Sequence, residues 1–170
     1  LHGTIKWNQL LSKALNRMDF RLVVEDPDIA DPEKTIQVNG RPWYLSKSLR
    51  VDLEHPELPN FTCISYVWGP AREPNPFHPG EFMSSNTIPA LSFAITHGTT
   101  PAFWIDALCV PPSLPVKHHT LGSMGYIYSA ADEVIIKLPH SLLPALNEMK
   151  DSDRLSEEVL LSLEEDDWVR

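Results

Sequence analysis

Two nearly continuous apolar runs constrain the fold of this chain more than any other feature. Residues 61–68 are rich in β-branched and aromatic side chains and end at Gly69, and residues 102–110 form a similar run that contains only one acid, Asp106, and ends at Pro111. Short apolar runs bounded by turn residues are typical of strands that are buried on both sides. The sequence therefore predicts two central strands of a sheet, the second spanning residues 102–110.

Segments with helical character separate and follow these strands. A helix is predicted between residues 86 and 98, because Asn86 can cap its start and Pro89 suits its first turn. A second helix is predicted to start at Pro115, and a third strand at residues 134–136. Strands that alternate with helices in this way predict an α/β fold with a mostly parallel sheet and helices on both faces.

Further elements are expected before this core. Residues 1–18 carry an apolar helical face, so we predict a separate amphipathic helix there and one domain over residues 19–170. The β-type runs at residues 21–25 and 35–38, together with the Asn39-Gly40 turn signal, predict a hairpin.

Other regions carry weaker signals. The proline-rich stretch from Gly69 to Ser84 predicts a long loop without regular structure, and residues 141–149 and 155–163 predict helices. The chain begins at Leu1 and stops within a continuing pattern at Arg170, so we expect the domain to be truncated at its C-terminal end.

The charge distribution argues against nucleic acid as a partner. The net charge is −9, and residues 151–170 hold eight acids and two bases, so residues 1–150 carry only −3 and offer no basic stripe. No apolar stretch approaches the roughly 18 residues of a membrane span. No secretory segment is recognisable, and Cys63 and Cys109 lie inside apolar runs, which predicts a reducing, cytoplasmic location.

Familiar catalytic motifs are missing from the sequence. It contains no nucleophile elbow, P-loop, dinucleotide-binding glycine motif, zinc-protease motif or paired cysteines. No metal site is predicted, because His118 and His119 are adjacent and would diverge by about 100° on a helix.

Polar and aromatic side chains end the two central strands. Ser65, Tyr66 and Trp68 end the first strand, and Asp106 lies near the end of the second. Ligands bind at the carboxyl ends of strands in open α/β sheets, so we expect these residues to share a crevice. Asp106 is either a structural acceptor or a functional group with a raised pKa, and Trp68 and Trp104 are either core residues or ligand platforms.

Several segments together resemble the motifs of the fungal heterokaryon-incompatibility (HET) domain family. Residues 63–69 (CISYVWG) resemble its "ALSYVWG" motif, and residues 104–110 (WIDALCV) resemble its "WIDAICI" strand. Residues 124–134 are similar to its "M..IY..A..V" pattern, and residues 168–170 resemble the start of its "W..RxW..QE" segment. Order and spacing agree as well, over about residues 17–170.

This resemblance implies a TIR/flavodoxin-like fold and a signalling role. HET domains trigger programmed cell death on non-self recognition as part of fungal innate immunity, which implies self-association or a protein partner and no required cofactor. They resemble TIR domains, some of which cleave NAD, so an NAD glycohydrolase is the alternative, with NAD as substrate. The implied catalytic candidates are then Asp106 and Glu73, and the implied NAD contacts are Ser65, Tyr66, Trp68, Gly69 and Trp104.

The chain departs from the family pattern after residue 110. The family usually continues with Asn-Gln, an acidic–basic pair and a glutamine; this chain instead has Pro111, Pro112, Val116, Lys117 and Thr120. The loss of this polar cluster leaves a second alternative open, in which the domain is a degenerate, inactive scaffold that acts by protein interaction.

Overall fold

The structure is a computed structural model that describes residues 16–50 and 58–139, together with the isolated positions Gln9, Leu10, Lys13 and Pro144. Apart from Pro144, the helices predicted at residues 141–149 and 155–163 lie outside the described residues, as do twelve of the 18 residues of the predicted N-terminal helix. None of the helices in the described ranges is long and apolar enough to cross a membrane.

Between residues 23 and 84 the described elements are all strands, and from residue 87 onward helices and strands are interspersed. The strands are β1 (Val23–Val24), β2 (Ala30–Val38), β3 (Arg41–Ser46), β4 (Phe61–Tyr66), β5 (Arg72–Pro74), β6 (Phe82–Ser84), β7 (Ala102–Trp104) and β8 (Glu133–Lys137). The helices are α1 (Thr87–His97), α2 (Asp106–Cys109), α3 (Leu114–Gly122) and α4 (Met124–Ala130).

A six-stranded sheet in the order β2-β3-β1-β7-β4-β8 forms the centre of the fold. β7 and β8 pair parallel with β4, whereas the pairs β2–β3, β3–β1 and β1–β7 are antiparallel. The α/β prediction is confirmed, but the sheet is mixed rather than mostly parallel. The sheet is mixed because the N-terminal strands belong to it and do not form a separate hairpin. β1 pairs antiparallel with β7, and β3 and β2 continue the sheet beyond β1.

The hairpin prediction is correct at its turn and wrong in its partner. Asn39 and Gly40, with φ of 53° and 75°, connect β2 to β3 in the left-handed conformation that a tight hairpin turn needs. The run at residues 21–25 contributes β1, which pairs with β3 and β7 and not with residues 35–38.

Helices cover both faces of β4. On one face the Tyr66 hydroxyl lies 2.9 Å from Thr87 Oγ1 of α1, and on the other the Cys63 thiol lies 3.9 Å from the Ile127 carbonyl oxygen of α4. The helix predicted between residues 86 and 98 is confirmed, since α1 spans Thr87–His97. Because β4 is covered on both sides, its first four residues are buried, which explains its continuous apolar run.

The second apolar run does not remain a strand throughout its length. β7 ends at Trp104, and α2 starts at Asp106, whose carboxylate accepts a hydrogen bond of 2.6 Å from the Ala107 amide. Asp106 therefore begins a helical turn and does not lie inside a strand. An acidic side chain is favourable in this position, because the first amides of a helix lack partners within the helix.

Two other predictions are corrected by short elements. The proline-rich stretch includes the antiparallel pair β5–β6, in which Pro74, without an amide hydrogen, lies at the strand end. The helix predicted from Pro115 is broken at Ser123, where φ is −104° and ψ is 7°, so it becomes α3 and α4.

Candidate functional site

The carboxyl ends of β4 and β7 lie next to each other. β4 and β7 pair in parallel with Cys63 opposite Trp104, so the residues that follow the two strands emerge side by side at the carboxyl ends of these strands. The two strands are therefore neighbours, as a crevice shared by their end residues requires. This arrangement brings the end of one apolar run to the start of α2.

Asp106 is the centre of a hydrogen-bond network that joins these two ends. Its Oδ1 accepts from the Tyr66 hydroxyl at 3.1 Å and from the Ala107 amide at 2.6 Å, and its Oδ2 accepts from Trp68 Nε1 at 3.2 Å. Because Tyr66 donates to the carboxylate, the Thr87 hydroxyl donates to the Tyr66 oxygen, 2.9 Å away. The network therefore runs from α1 through β4 to α2.

Burial dominates the electrostatics of the network. Burial raises the pKa of the Asp106 carboxyl above its ordinary value, although hydrogen bonds from Ala107, Tyr66 and Trp68 lower it. Burial and the neighbouring Asp106 charge also raise the pKa of Tyr66, so its hydroxyl stays protonated and available as a donor.

The loop after β4 holds Trp68 in place. Gly69 has φ of 63°, a left-handed conformation that favours glycine, and the Arg72 guanidinium lies 5.4 Å from the centre of the Trp68 ring. The carbonyl of Trp68 accepts hydrogen bonds from Ser84 Oγ and, at 3.3 Å, from Asn86 Nδ2. The indole is thus fixed while part of it remains exposed to solvent.

A cavity of about 140 Å³, which we call the Trp68 cavity, opens beside this network. Its polar wall includes Asp106, and its rim carries three exposed apolar side chains, those of Trp68, Phe82 and Leu121. Small-molecule sites commonly measure about 300–1,000 Å³, so this cavity matches a single side chain or ring better than a dinucleotide.

His78 also lines the Trp68 cavity and was not predicted from the sequence. Its Nε2 lies 3.0 Å from the Leu108 carbonyl oxygen, and burial lowers the pKa of its imidazole. The ring is therefore neutral with the proton on Nε2, which leaves Nδ1 as an acceptor. The chain segment that supplies His78 also supplies Glu81 and Phe82 to the cavity. The only signal for these residues was the unusual length of the proline-rich stretch.

The other predicted site residues lie in different environments. Ser65 hydrogen-bonds Tyr128 of α4, so it faces away from Tyr66. Trp104 is buried in the core, where its ring meets the Tyr128 ring edge-on at 6.0 Å between centroids. Glu73 lies in β5, and Glu81 is the acid of the proline-rich stretch that lines the Trp68 cavity. The structure thus brings together Tyr66, Trp68 and Asp106, with Gly69 directly after Trp68. It turns Ser65 and Trp104 toward Tyr128 on the other face of the sheet, and Glu73 does not line the Trp68 cavity.

Within the described ranges, no three His, Cys, Asp or Glu side chains are grouped closely enough to hold a metal ion.

The sequence model of the heterokaryon incompatibility protein (HET) family matches residues 61–168, which include β4 to β8 and the Trp68 cavity. The chain belongs to the HET family. The match excludes β1 to β3, so the antiparallel part of the sheet lies outside the matched HET region. No curated protein and no solved structure matches the chain.

Proposed function

We propose that this HET domain triggers programmed cell death on non-self recognition by docking protein partners, itself included, and not by catalysis. The observation that carries the proposal is the Trp68 cavity, in which an exposed apolar rim surrounds a space too small for a typical cofactor. Exposed aromatic side chains around a small recess are characteristic of protein interaction sites, where one anchor residue fills the recess.

The state of Asp106 supports docking over catalysis. Three donors of the chain itself already occupy its carboxylate oxygens, so the acid is engaged in holding Tyr66 and Trp68. A carboxylate offers about four lone-pair positions, so only about one, on Oδ2, is left to act as a base or to stabilise positive charge.

The departures from the family pattern support the same reading. Pro111, Pro112 and Lys117 line the Trp68 cavity at positions where the resemblance implies a polar cluster. Thr120 is buried and donates to the Val116 carbonyl oxygen at 2.9 Å, so it is also engaged within the fold. The two proline rings on this side of the cavity suit contact with an apolar side chain better than proton transfer.

A viability assay of fungal cells that express the chain tests the docking role. Phe82→Ser removes an exposed rim residue, and Leu114→Ser is its matched control, because both side chains are 67% exposed and Leu114 does not line the cavity. We expect the parent chain and the control to kill cells and Phe82→Ser to lose most of this activity at equal protein level. Equal killing by all three would contradict the proposal.

The NAD glycohydrolase remains the second candidate function. It is favoured by one observation, the raised pKa of Asp106 beside an exposed indole that could stack on nicotinamide. The test is nicotinamide release from NAD by concentrated protein, with Asp106→Asn as the variant. If Asp106→Asn abolishes the release while the variant is still folded at the assay temperature, the enzyme is established and the docking role is displaced; no release removes this candidate.

A further inference from the structure

The two edges of the six-stranded sheet differ in their protection against further pairing. At one edge, β2 carries Pro32 with an acidic residue on each side, and its pairing shifts register between Ala30 and Thr35. Proline, charge and bulges are the features that keep natural edge strands from pairing with other chains. β8, at the other edge, has no proline and pairs regularly with β4 along its whole length, Glu133–Lys137.

β8 also exposes apolar side chains. Val134 and Ile136 are 45% and 57% exposed, and their neighbours on β4, Cys63 and Ser65, point toward α4. Among the described residues, no strand pairs with the outer side of β8. A regular edge with exposed β-branched side chains is a template for an added strand.

The sequence of β8 is complementary to itself. We propose that β8 pairs antiparallel with β8 of a second copy of this chain, about a two-fold axis at Ile135. Glu133 then faces Lys137 of the partner subunit, and Val134 faces Ile136 of the partner subunit. Each opposite-charge pair and each apolar pair forms twice by symmetry, and cross-strand pairs of both kinds stabilise sheets.

Both charged side chains are already positioned on one face of β8. The Glu133 carboxylate accepts from Thr62 Oγ1 at 2.9 Å and from the Thr99 amide at 3.1 Å, and these bonds, the Thr99 amide first, lower its pKa and keep it ionised. The Lys137 ammonium lies 5.0 Å from the centre of the Phe93 ring of α1. These contacts lie on the α1 side of the sheet, whereas Val134 and Ile136 lie on the other side.

Such pairing would join two six-stranded sheets into one continuous sheet and close the assembly at a dimer, because a two-fold interface uses the same surface on both copies. The inference rests on the proposed function only for the expectation of self-association, and it uses a surface separate from the Trp68 cavity. The β8 pairing and the docking role of the Trp68 cavity can therefore each be wrong while the other holds.

Charge exchange on the full chain tests the pairing. Lys137→Glu places two acids opposite each other at both ends of the paired strands, so we expect dimerisation, measured by sedimentation equilibrium, to weaken about tenfold. The double variant Glu133→Lys/Lys137→Glu restores opposite charges and should regain parent-like dimerisation. Thermal melting checks that each variant is folded. A parent chain that stays monomeric, or a dimer that Lys137→Glu leaves unchanged, overturns the inference.

Cross-linking tests the register. Ile135 faces its own symmetry mate, so Ile135→Cys should form a covalent dimer under mild oxidation, whereas the matched Val134→Cys, which faces Ile136 of the partner subunit, should cross-link far less. The native Cys63 and Cys109 are buried, so the parent chain gives the background. No covalent dimer of Ile135→Cys, or equal cross-linking by both variants, overturns the inference. If cells survive expression although Ile135→Cys cross-links, the β8 surface stands and the death-signalling proposal fails.

Discussion

The Tyr66 hydroxyl lies 3.1 Å from Asp106 Oδ1, and this contact ties the end of β4 to the start of α2. The same hydroxyl is 2.9 Å from Thr87 Oγ1, so α1 is joined to the pair as well. Three elements that are distant along the chain are thus joined at the carboxyl ends of β4 and β7, where Asp106 also binds Trp68. The consequences for stability can be measured independently of any activity.

Replacing Asp106 should separate the loss of charge from the loss of hydrogen bonds. Asp106→Asn keeps the volume and one acceptor oxygen, so we expect the free energy of unfolding to fall by less than about 1 kcal/mol. Asp106→Ala leaves Tyr66, Trp68 and the Ala107 amide without this acceptor, and we expect a loss of about 1–3 kcal/mol. Urea unfolding of both variants checks the order. An alanine variant as stable as the parent would show that the network contributes nothing.

The raised pKa of Asp106 predicts a pH dependence of stability. Its folded-state pKa lies above the unfolded value of about 3.8, so the folded chain binds this proton more tightly than the unfolded chain does. The proton-linked stabilisation is therefore fully present below pH 3.8 and is lost as the pH rises through the higher folded-state pKa. The measurement is the difference in unfolding free energy between the parent and Asp106→Asn over a pH series. Relative to the variant, the parent should lose stability as the pH rises, and the opposite slope would refute the assignment.

Gly98 packs too closely for any side chain. A Cβ at this position would lie 2.6 Å from the Ala94 carbonyl oxygen and 3.0 Å from an edge carbon of Phe103, so Gly98→Ala should destabilise the fold by about 1–3 kcal/mol. Gly125→Ala is the matched control, since nothing lies within 4 Å of its Cβ position.

Gly125 lies within α4, and alanine there should stabilise the chain by about 0.5–1 kcal/mol. Thermal melts give both values. Equal effects of the two substitutions would mean that the packing around Gly98 relaxes freely.

The two thiols should be unreactive in the folded chain. Burial raises the pKa of Cys63 and that of Cys109 to about 12, whereas a free cysteine titrates near 8.5. Because the thiolate is the reactive form, a disulfide reagent at neutral pH should label neither residue until the chain unfolds. Mass spectrometry of samples labelled with and without urea measures this. Rapid labelling of the native chain would contradict the burial of both side chains.

The local sequence pattern was sufficient to predict the order of the main strands and helices. Most of the run at residues 61–68 becomes β4, Pro89 lies in the first turn of α1, and residues 134–136 lie within β8. These predictions succeed because each depends on neighbours in sequence: apolar continuity for a buried strand, and a proline within the first turn of a helix. The predicted cap is wrong, because the Asn86 side chain makes no cap hydrogen bond and donates to the Val67 carbonyl oxygen at 2.9 Å instead.

Strand partners and strand lengths needed the tertiary structure. β1 has only two residues, Val23 and Val24, and its place between β3 and β7 is set by packing against distant segments. The run at residues 102–110 reads as a single strand because apolar content does not distinguish a buried strand from a buried helical turn. The hydrogen bonds of Asp106 decide that difference, and their donors come from residues 66, 68 and 107.

The sequence by itself determined the family-type motifs, the mixture of strands and helices in residues 61–137, and the need of Asp106 for hydrogen-bond partners, because an acid within an apolar run must find partners wherever the chain folds. Only the tertiary structure decided which residues share a site. Alternation along β4 turns Ser65 toward α4 and Tyr66 toward α1, so two adjacent residues face opposite sides of the sheet. Meanwhile His78 and Phe82 reach the Trp68 cavity from a proline-rich stretch whose path no local pattern specifies.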